Sequence, residues 1–378
     1  MLMESVALMP ENNVTSFAWS HLRRFRHVPY VVDRLIARHK PDSKQLSNIK
    51  KQAQQIRLCL QQAEEYFEAS NAVSLVTRPT LFYYSVMCLA LAEVLFKQGG
   101  DSSLDKARSE HRHHGLIAKI GNVRRDLRDA QAILASMRAL PLINEGKRTG
   151  TFELWHRSAR TYPVGGVFER GHLKSFATLF SGDEDRMEEI PAQGISLLDC
   201  YKCIPGLWLT IKLQDIIGDT VRARVTGVRH QDIVTLKIDF HPGPPACWQG
   251  CAEQFRISPK DHEAITIIEY ENHATIQIRQ AEGDVLNFRL PSATMLGIDD
   301  VRFLSRPATL NEFGYIYVAM FVLGSFARYY PDLWIKDVEG FTSLAHLAEQ
   351  LLAHAAERVP VLLLSELSGE LLVPGTLS

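Results

Sequence analysis

The sequence lacks the short motifs that mark several common enzyme classes. It contains no glycine-rich phosphate-binding loop, no Gly-x-Ser-x-Gly turn and no His-Glu-x-x-His pair. Nucleotide hydrolysis, serine hydrolase chemistry and zinc proteolysis therefore have no motif to support them. No internal repeat of about 20–50 residues is visible either, so a solenoid or propeller is not predicted.

Cysteine and signals for export are also scarce. There are six cysteines in 378 residues, and the first residues, MLMESVALMPENN, contain no basic segment. A secretory leader and a disulfide framework are therefore not predicted, and we expect a cytoplasmic protein.

Long uninterrupted hydrophobic runs are missing as well. The two most apolar stretches, residues 79–96 and 315–330, contain Glu93 and Gly324 respectively. Each is at or below the roughly 18–20 clean apolar residues that a membrane span needs. Both are predicted to be buried core helices, and no membrane partner is expected.

The charges are unevenly distributed. Residues 1–150 contain 22 Lys and Arg against 14 Asp and Glu, which leaves 20 against 29 in the rest of the chain. The basic N-terminal part favours a polyanionic partner, although an excess of this size is also common on solvated surfaces.

The periodicity of apolar residues changes along the chain and predicts an α+β fold. Helices are predicted over residues 43–70, 79–97, 116–140, 315–330 and 341–360, and strands over 221–228, 233–240, 274–280 and 284–290. Residues 242–250 are predicted to be a loop between strands. We expect a helical region at 1–149, a β-rich antiparallel region at 150–304, and C-terminal helices at 305–378 that pack back on the N-terminal helical bundle.

Three segments resemble one family. They are RPTLFYYSVMCLALAEVLF (78–96) followed by HGL (114–116), ISLLDCYKCIPGLW (195–208) and GSFARYYPDLW (324–334). Together they are similar to YaaC-like bacterial proteins, and the resemblance spans roughly residues 20–360. It implies membership of that family and no particular chemistry.

The helical half also resembles HEPN domains. A long apolar helix with tyrosines, a glycine break and a short Arg/His loop before a helix are features of those domains. Arg108 is followed by His113 after four residues and by His114 after five, which matches the Arg-x4–6-His motif of that class. The resemblance implies a homodimer that cleaves RNA without a metal ion, as an effector in stress or phage defence.

The stretch KARSEHRHHGL (106–116) has suitable chemistry for such a reaction. A histidine can exchange protons near neutral pH, and an arginine offers a permanent charge to phosphate oxygens. Arg108, His113 and His114 are the candidate catalytic residues. The candidate RNA-binding residues are Arg112, Arg124, Arg125 and Arg128. The alternative is a hydrated polar turn in which Gly115 fixes the bend and His114 bonds a nearby carbonyl.

Four cysteines occur in two close pairs, Cys200 with Cys203 and Cys247 with Cys251. Two such pairs can hold a zinc ion if both lie in tight turns. The alternative, four ordinary buried thiols, requires no cofactor. No other metal or cofactor is predicted.

Two other conspicuous groups have structural interpretations. Tyr83 and Tyr84 can stack on a base, but in an apolar helix we expect core residues with bonded hydroxyls. For Arg328, at the end of a buried helix, we expect a carboxylate or backbone partner. A non-catalytic interaction or scaffold protein, whose bundle dimerises and whose sheet binds a partner, is the competing functional class.

Overall fold

The computed structural model describes most of the chain. The described residues are 5–9, 13–99, 113–120, 129–159, 164–169, 172–178, 187, 189–230, 233–241, 249–251, 265–271, 273–281, 293–297, 300–307 and 309–374. They form an α+β fold in which helices from both ends of the sequence pack together and antiparallel sheets occupy the middle. The predicted fold class is confirmed.

The helices are concentrated at the two ends of the chain. They are α1 (Val14–Leu22), α2 (Val28–His39), α3 (Leu46–Ala72), α4 (Arg78–Lys97), α5 (Ala130–Ser136), α6 (Thr151–Ser158), α7 (Leu197–Cys203), α8 (Trp208–Lys212), α9 (Glu312–Tyr329), α10 (Pro331–Glu339) and α11 (Ser343–Ser368). Short 3-10 turns lie at Arg23–Arg26 and Pro205–Leu207.

Helix α4 confirms the helix predicted from residue 79, and its start has a clear cause. Pro79 lies in the first turn, where its fixed φ suits a helix and its missing N–H costs no hydrogen bond. Helices α3 and α9 also lie close to their predicted positions. Helix α11 continues beyond the predicted end, through Pro360 to Ser368.

The prediction of a helix over residues 116–140 is wrong. Leu116–Ile120 is a strand, β2, and Met137–Pro141 is a second strand, β3, which pairs with it antiparallel. Only α5 within this range is helical, and residues 121–128 lie outside the described part. The pairing of two segments some twenty residues apart overrides the local helical pattern, because strand formation depends on tertiary context.

The remaining strands form the middle of the protein and a link between its ends. They are β1 (Ser5–Met9), β4 (Ile143–Asn144), β5 (Lys147–Arg148), β6 (Val164–Glu169), β7 (His172–Thr178), β8 (Ile195–Ser196), β9 (Thr220–His230), β10 (Ile233–Phe240), β11 (Ile265–Glu269), β12 (Ala274–Ala281), β13 (Ala293–Gly297), β14 (Asp300–Leu304) and β15 (Glu370–Pro374).

The largest sheet has the strand order β11-β12-β10-β9-β14-β13 and is antiparallel throughout. Three of its strands confirm the predictions for residues 221–228, 233–240 and 274–280. The predicted strand at 284–290 lies outside the described residues, as does most of the predicted loop at 242–250. A smaller sheet has the order β2-β3-β8, and β1 pairs parallel with β15.

Helix α4 lies at the centre of the helical part. Its Thr80 hydroxyl donates to the Gly324 carbonyl of α9 at 3.3 Å. A Cβ added at Gly324 would lie 3.2 Å from the Pro79 carbonyl oxygen, so a small residue is needed where α9 crosses the start of α4. Helix α4 is also long and apolar enough to cross a membrane, but 72% of its most apolar window is buried in the fold.

Ion pairs and a hydrogen bond connect charged side chains of α4 to other elements inside the core. The Lys97 ammonium is 2.5 Å from Glu93 and 2.8 Å from Glu366 of α11. The Trp155 indole N–H of α6 donates to the other Glu93 oxygen at 2.8 Å. Burial raises the pKa of Glu93, and the Lys97 charge offsets part of that rise.

Candidate functional site

Segments that are far apart in the sequence enclose one pocket. Tyr83 and Tyr84 come from α4, His114 precedes β2, and Arg328 and Tyr329 come from the last turn of α9. The cavity has a volume of about 310 Å³, at the lower end of the range for small-molecule sites. We call it the Tyr–His–Arg pocket.

The turn that presents His114 is fixed by backbone contacts with the start of α6. The His113 carbonyl accepts from the Thr151 N–H at 2.9 Å, and the His114 carbonyl accepts from the Phe152 N–H at 3.0 Å. These bonds satisfy two N–H groups that a helix start leaves without internal partners. The bond predicted from His114 to a nearby carbonyl is not the one observed, because the ring Nδ1 faces the Tyr83 hydroxyl. We call the two contacts of the His113 and His114 carbonyls with α6 the backbone clamp.

Two glycines make this clamp sterically feasible. Gly115 has φ +84° and Gly150 has φ +106°, a region that favours glycine. A Cβ added at Gly150 would lie 2.3 Å from the Gly115 Cα. The two backbones therefore approach more closely than any other residue would allow, and Gly115 fixes the bend as predicted.

The His114 ring is half-buried beside Tyr83. Its Nδ1 lies 2.8 Å from the Tyr83 hydroxyl, and the Phe321 ring lies 6.0 Å away, centroid to centroid. Burial lowers the pKa of His114 below its ordinary value, and the nearby charges of Arg328 and His113 lower it further. The lowered pKa favours the neutral ring, which can accept a proton.

Tyr83 supports the ring from the core side. Its hydroxyl also lies 3.9 Å from the Met87 sulfur, as a donor. Burial raises the pKa of Tyr83 well above its ordinary value, and the neighbouring Tyr317 adds to the rise. If Tyr83 donates to Met87 and accepts from the His114 Nδ1–H, the Nε2 lone pair is left unprotonated.

Arg328 supplies the positive charge of the pocket. One guanidinium N–H donates to the Tyr84 hydroxyl at 2.9 Å, and the guanidinium carbon lies 5.1 Å from the Tyr329 ring centre. We expected a carboxylate or backbone partner; the partner is instead a neutral hydroxyl, and no described carboxylate pairs with Arg328. None of the described residues lining the pocket is acidic. The expectation that Tyr83 and Tyr84 have bonded hydroxyls is met.

The predicted Arg/His site is described only in part. His113 is exposed and its carbonyl is held by Thr151, whereas His114 lines the pocket. The other predicted residues, Arg108, Arg112, Arg124, Arg125 and Arg128, lie outside the described part of the chain. Sequence reasoning did not connect Arg328 with His114, and the only sequence signal was that both occur in segments resembling one family.

Three of the four paired cysteines, Cys200, Cys203 and Cys251, are buried. Cys200 and Cys203 lie in α7, and the Cys251 thiol donates to the Leu304 carbonyl at 3.4 Å. Burial raises the pKa of Cys203 to about 11, although Arg306 at 3.3 Å opposes this rise. A thiol with that pKa is protonated at neutral pH.

Within the described ranges, no three His, Cys, Asp or Glu side chains are grouped as ligands for a metal ion. Cys247 lies outside those ranges, so the four-cysteine zinc site stays a prediction.

Comparison with known proteins gives one match. A family model described as YaaC-like Protein matches residues 20–129 and 251–367, more than half of the chain. The chain belongs to the YaaC-like family. The elements that enclose the pocket, α4, β2 and α9, all lie inside the matched ranges. No curated protein and no solved structure matches the chain.

Proposed function

We propose that this YaaC-like protein binds RNA in the Tyr–His–Arg pocket and cleaves the RNA backbone without a metal ion. One observation carries the proposal: His114, which is half-buried against Tyr83, and Arg328, which has no carboxylate partner among the described residues, line the same cavity. Such a cavity attracts an anion and holds a proton acceptor next to it.

The pocket residues supply the groups that the reaction needs. His114 Nε2 takes the proton of the ribose 2′-hydroxyl, and the 2′ oxygen attacks the phosphorus. Arg328 offsets the negative charge that develops on the phosphate oxygens. The Tyr84 hydroxyl, which accepts from Arg328, gives its proton to the leaving 5′ oxygen. The products are a 2′,3′-cyclic phosphate and a 5′-hydroxyl end.

The proposal rests on the pocket and only loosely on the HEPN resemblance. That resemblance expects a helix after the Arg/His loop, whereas strand β2 follows it here. The roles suggested by the resemblance, a cytoplasmic homodimer acting in stress or phage defence, belong to the proposal. Arg108 and the downstream arginines, which lie outside the described residues, are proposed to hold the RNA backbone.

The test is cleavage of labelled total RNA and tRNA by the purified protein in EDTA. We expect His114→Ala to slow cleavage roughly 100-fold or more, because general base catalysis is worth about that much. Arg328→Gln is expected to lose most of the activity, and Arg108→Ala/His113→Ala to keep part of it. Circular dichroism and melting temperature would show that each variant is folded.

Three results would contradict the proposal. Equal cleavage by wild type and His114→Ala would remove the pocket from the reaction. Loss of activity only in Arg108→Ala/His113→Ala would move the reaction to the loop. Absence of cleavage by the wild type, with no binding of RNA, would count against an RNA-directed function.

A second candidate is a non-catalytic interaction protein. A group of apolar side chains near α8 is exposed to solvent, with Leu209 50%, Leu213 72% and Ile217 65% exposed. Clustered exposed apolar residues are typical of interaction sites. The substitution Leu213→Asp, with the molar mass measured by light scattering, would test whether this surface mediates dimerisation.

A further inference from the structure

Strand β2 forms one wall of the pocket and is the last strand of its sheet. It pairs with β3 on one side, and no other described strand pairs with it. A strand at the edge of a sheet carries a row of main-chain N–H and C=O groups that the ladder does not use. These groups are available to a ligand in the adjoining cavity.

The register of the ladder identifies which groups those are. The Leu142 N–H donates to the Gly115 carbonyl at 3.0 Å, and Leu116 lies opposite Pro141, which has no N–H. Hydrogen-bonded and non-bonded pairs alternate in an antiparallel ladder. Ile117 therefore bonds to β3, while the N–H and C=O groups of Leu116 and Ala118 point away from it.

The pocket meets β2 along this free edge. Leu116, Ile117 and Ala118 all line the cavity, although successive side chains of a strand point to opposite faces. Leu116 is 7% exposed and Ile117 is 47% exposed, as expected for residues on opposite faces. Consecutive residues from both faces can line one cavity when the cavity lies at the edge.

We propose that this edge reads the base of one unstacked nucleotide of single-stranded RNA, with the Leu116 carbonyl as acceptor and the Ala118 N–H as donor. The proposal rests on the proposed function and specifies its substrate. The pairing edge of each base presents a donor beside an acceptor, and these are hidden in a duplex. Arg328 holds the phosphate of the same nucleotide.

The rim of the pocket suits an exposed base. Tyr329 is 63% exposed and Tyr330 is 40% exposed, and both line the opening. Aromatic side chains in such positions stack on the faces of unpaired bases regardless of sequence. The cavity volume of about 310 Å³ accommodates one nucleotide and no duplex.

The test removes one main-chain donor. Ala118→Pro deletes the outward N–H without deleting a ladder bond, and proline is tolerated at strand edges. Ala118→Ser keeps the N–H and is the matched control. Binding of fluorescein-labelled pentauridylate and of a duplex is measured by anisotropy, in EDTA, on full-length protein, and both probes carry 2′-fluoro groups in place of the 2′-hydroxyls so that they cannot be cleaved.

We expect wild type and Ala118→Ser to bind pentauridylate more tightly than the duplex. Ala118→Pro should weaken binding of the single strand roughly threefold to tenfold, the value of one hydrogen bond. A second measurement uses wild type only and so does not depend on the folding of Ala118→Pro. Pentauridylate methylated at N3, which keeps the ring but blocks the pairing edge, should bind more weakly than the unmodified strand.

Distinct outcomes separate this inference from the proposed function. Equal binding of methylated and unmodified strands, with Arg328→Gln weakening both, would overturn base reading and leave the phosphate site intact. Equal affinity for duplex and single strand would also overturn it. Failure of wild type to bind either RNA would contradict both.

Discussion

In the described part of the chain, a pair of one histidine and one arginine beside Glu312 differs in its bonded partners from the pair in the Tyr–His–Arg pocket. His354 and Arg358 lie on α11 beside Glu312, the first residue of α9. Arg358 donates to both Glu312 oxygens, at 3.0 and 2.7 Å, and His354 lies 3.3 Å from one of them. His114 and Arg328, in the Tyr–His–Arg pocket, are bonded instead to the Tyr83 and Tyr84 hydroxyls.

The difference shows what each pair does. In the Glu312 pair the protein provides its own anion; Glu312 and Arg358 are buried, and the His354 side chain is 13% exposed. Burial raises the pKa of Glu312, but Arg358 and His354 outweigh it and hold the pKa at about 2. In the pocket the described lining has no carboxylate, so the anion is left for a ligand to supply. The first pair stabilises the fold and the second is suited to binding.

The largest expected effect on stability follows from removing Arg358, the internal partner of Glu312. Arg358→Met would leave the Glu312 carboxylate buried without its main counter-charge. We expect the free energy of unfolding to fall by about 3–5 kcal/mol, measured by urea denaturation. Arg328→Met, at an exposed arginine, should change it by no more than about 0.5 kcal/mol. Similar losses in both variants would remove the distinction between the pairs.

The Glu312 pair should make the stability of the protein depend on pH in the acidic range. The folded pKa of Glu312 is about 2, below the value of about 4.3 for an unfolded glutamate. The contribution of ionised Glu312 to the free energy of unfolding is therefore complete above about pH 4.3 and is lost as the pH falls through about 2. This contribution amounts to about 3 kcal/mol. Denaturation between pH 5 and 3 should show a steeper loss for wild type than for Glu312→Gln. Parallel curves would contradict the assigned pKa.

The backbone clamp of the pocket should be sensitive to a single methyl group. Gly150→Ala adds a Cβ that would lie 2.3 Å from the Gly115 Cα and also strains a positive φ. We expect a loss of roughly 1–3 kcal/mol together with displacement of His114. Gly146, with φ +76° and nothing within 4 Å of an added Cβ, is the control for strain alone. An equal loss in Gly146→Ala would show that the close approach is unimportant.

The smallest effect concerns the hydroxyl beneath His114. Tyr83→Phe removes the 2.8 Å contact with Nδ1 and keeps the ring. We expect a stability loss of about 1 kcal/mol, measured by thermal unfolding, and a changed pH dependence of RNA cleavage. If cleavage keeps its pH profile in Tyr83→Phe, the hydroxyl does not orient His114.

Helices with a continuous apolar stripe could be predicted from the sequence. Leu46–Ala72 and Arg78–Lys97 follow from local spacing and from the position of Pro79. Strand β2 could not be predicted, because LIAKI becomes a strand only through pairing with Met137–Pro141. The local preference of a segment for helix or strand does not specify which other segment it will pair with.

Only the site residues that are adjacent to one another in the sequence could be predicted. His113, His114 and Gly115 stand out together in the sequence, and the bend at Gly115 follows from its residue type. Arg328 is more than two hundred residues away, and its proximity to His114 depends on how α9 packs on α4. That packing is set by Gly324 and Thr80, which carry no chemical signature of a site.

The most direct test of the account is the titration of His114 by NMR, with and without uridine 3′-monophosphate. His114→Gln would identify the resonance, and His354 serves as an internal reference. A phosphate held by Arg328 favours the imidazolium, so we expect the ligand to raise the pKa of His114 in wild type and to leave it unchanged in Arg328→Gln. The resonance of His354, whose anion is Glu312, should not respond. A His114 titration that is the same with saturating ligand as without it would contradict the claim that this pocket is an anion site.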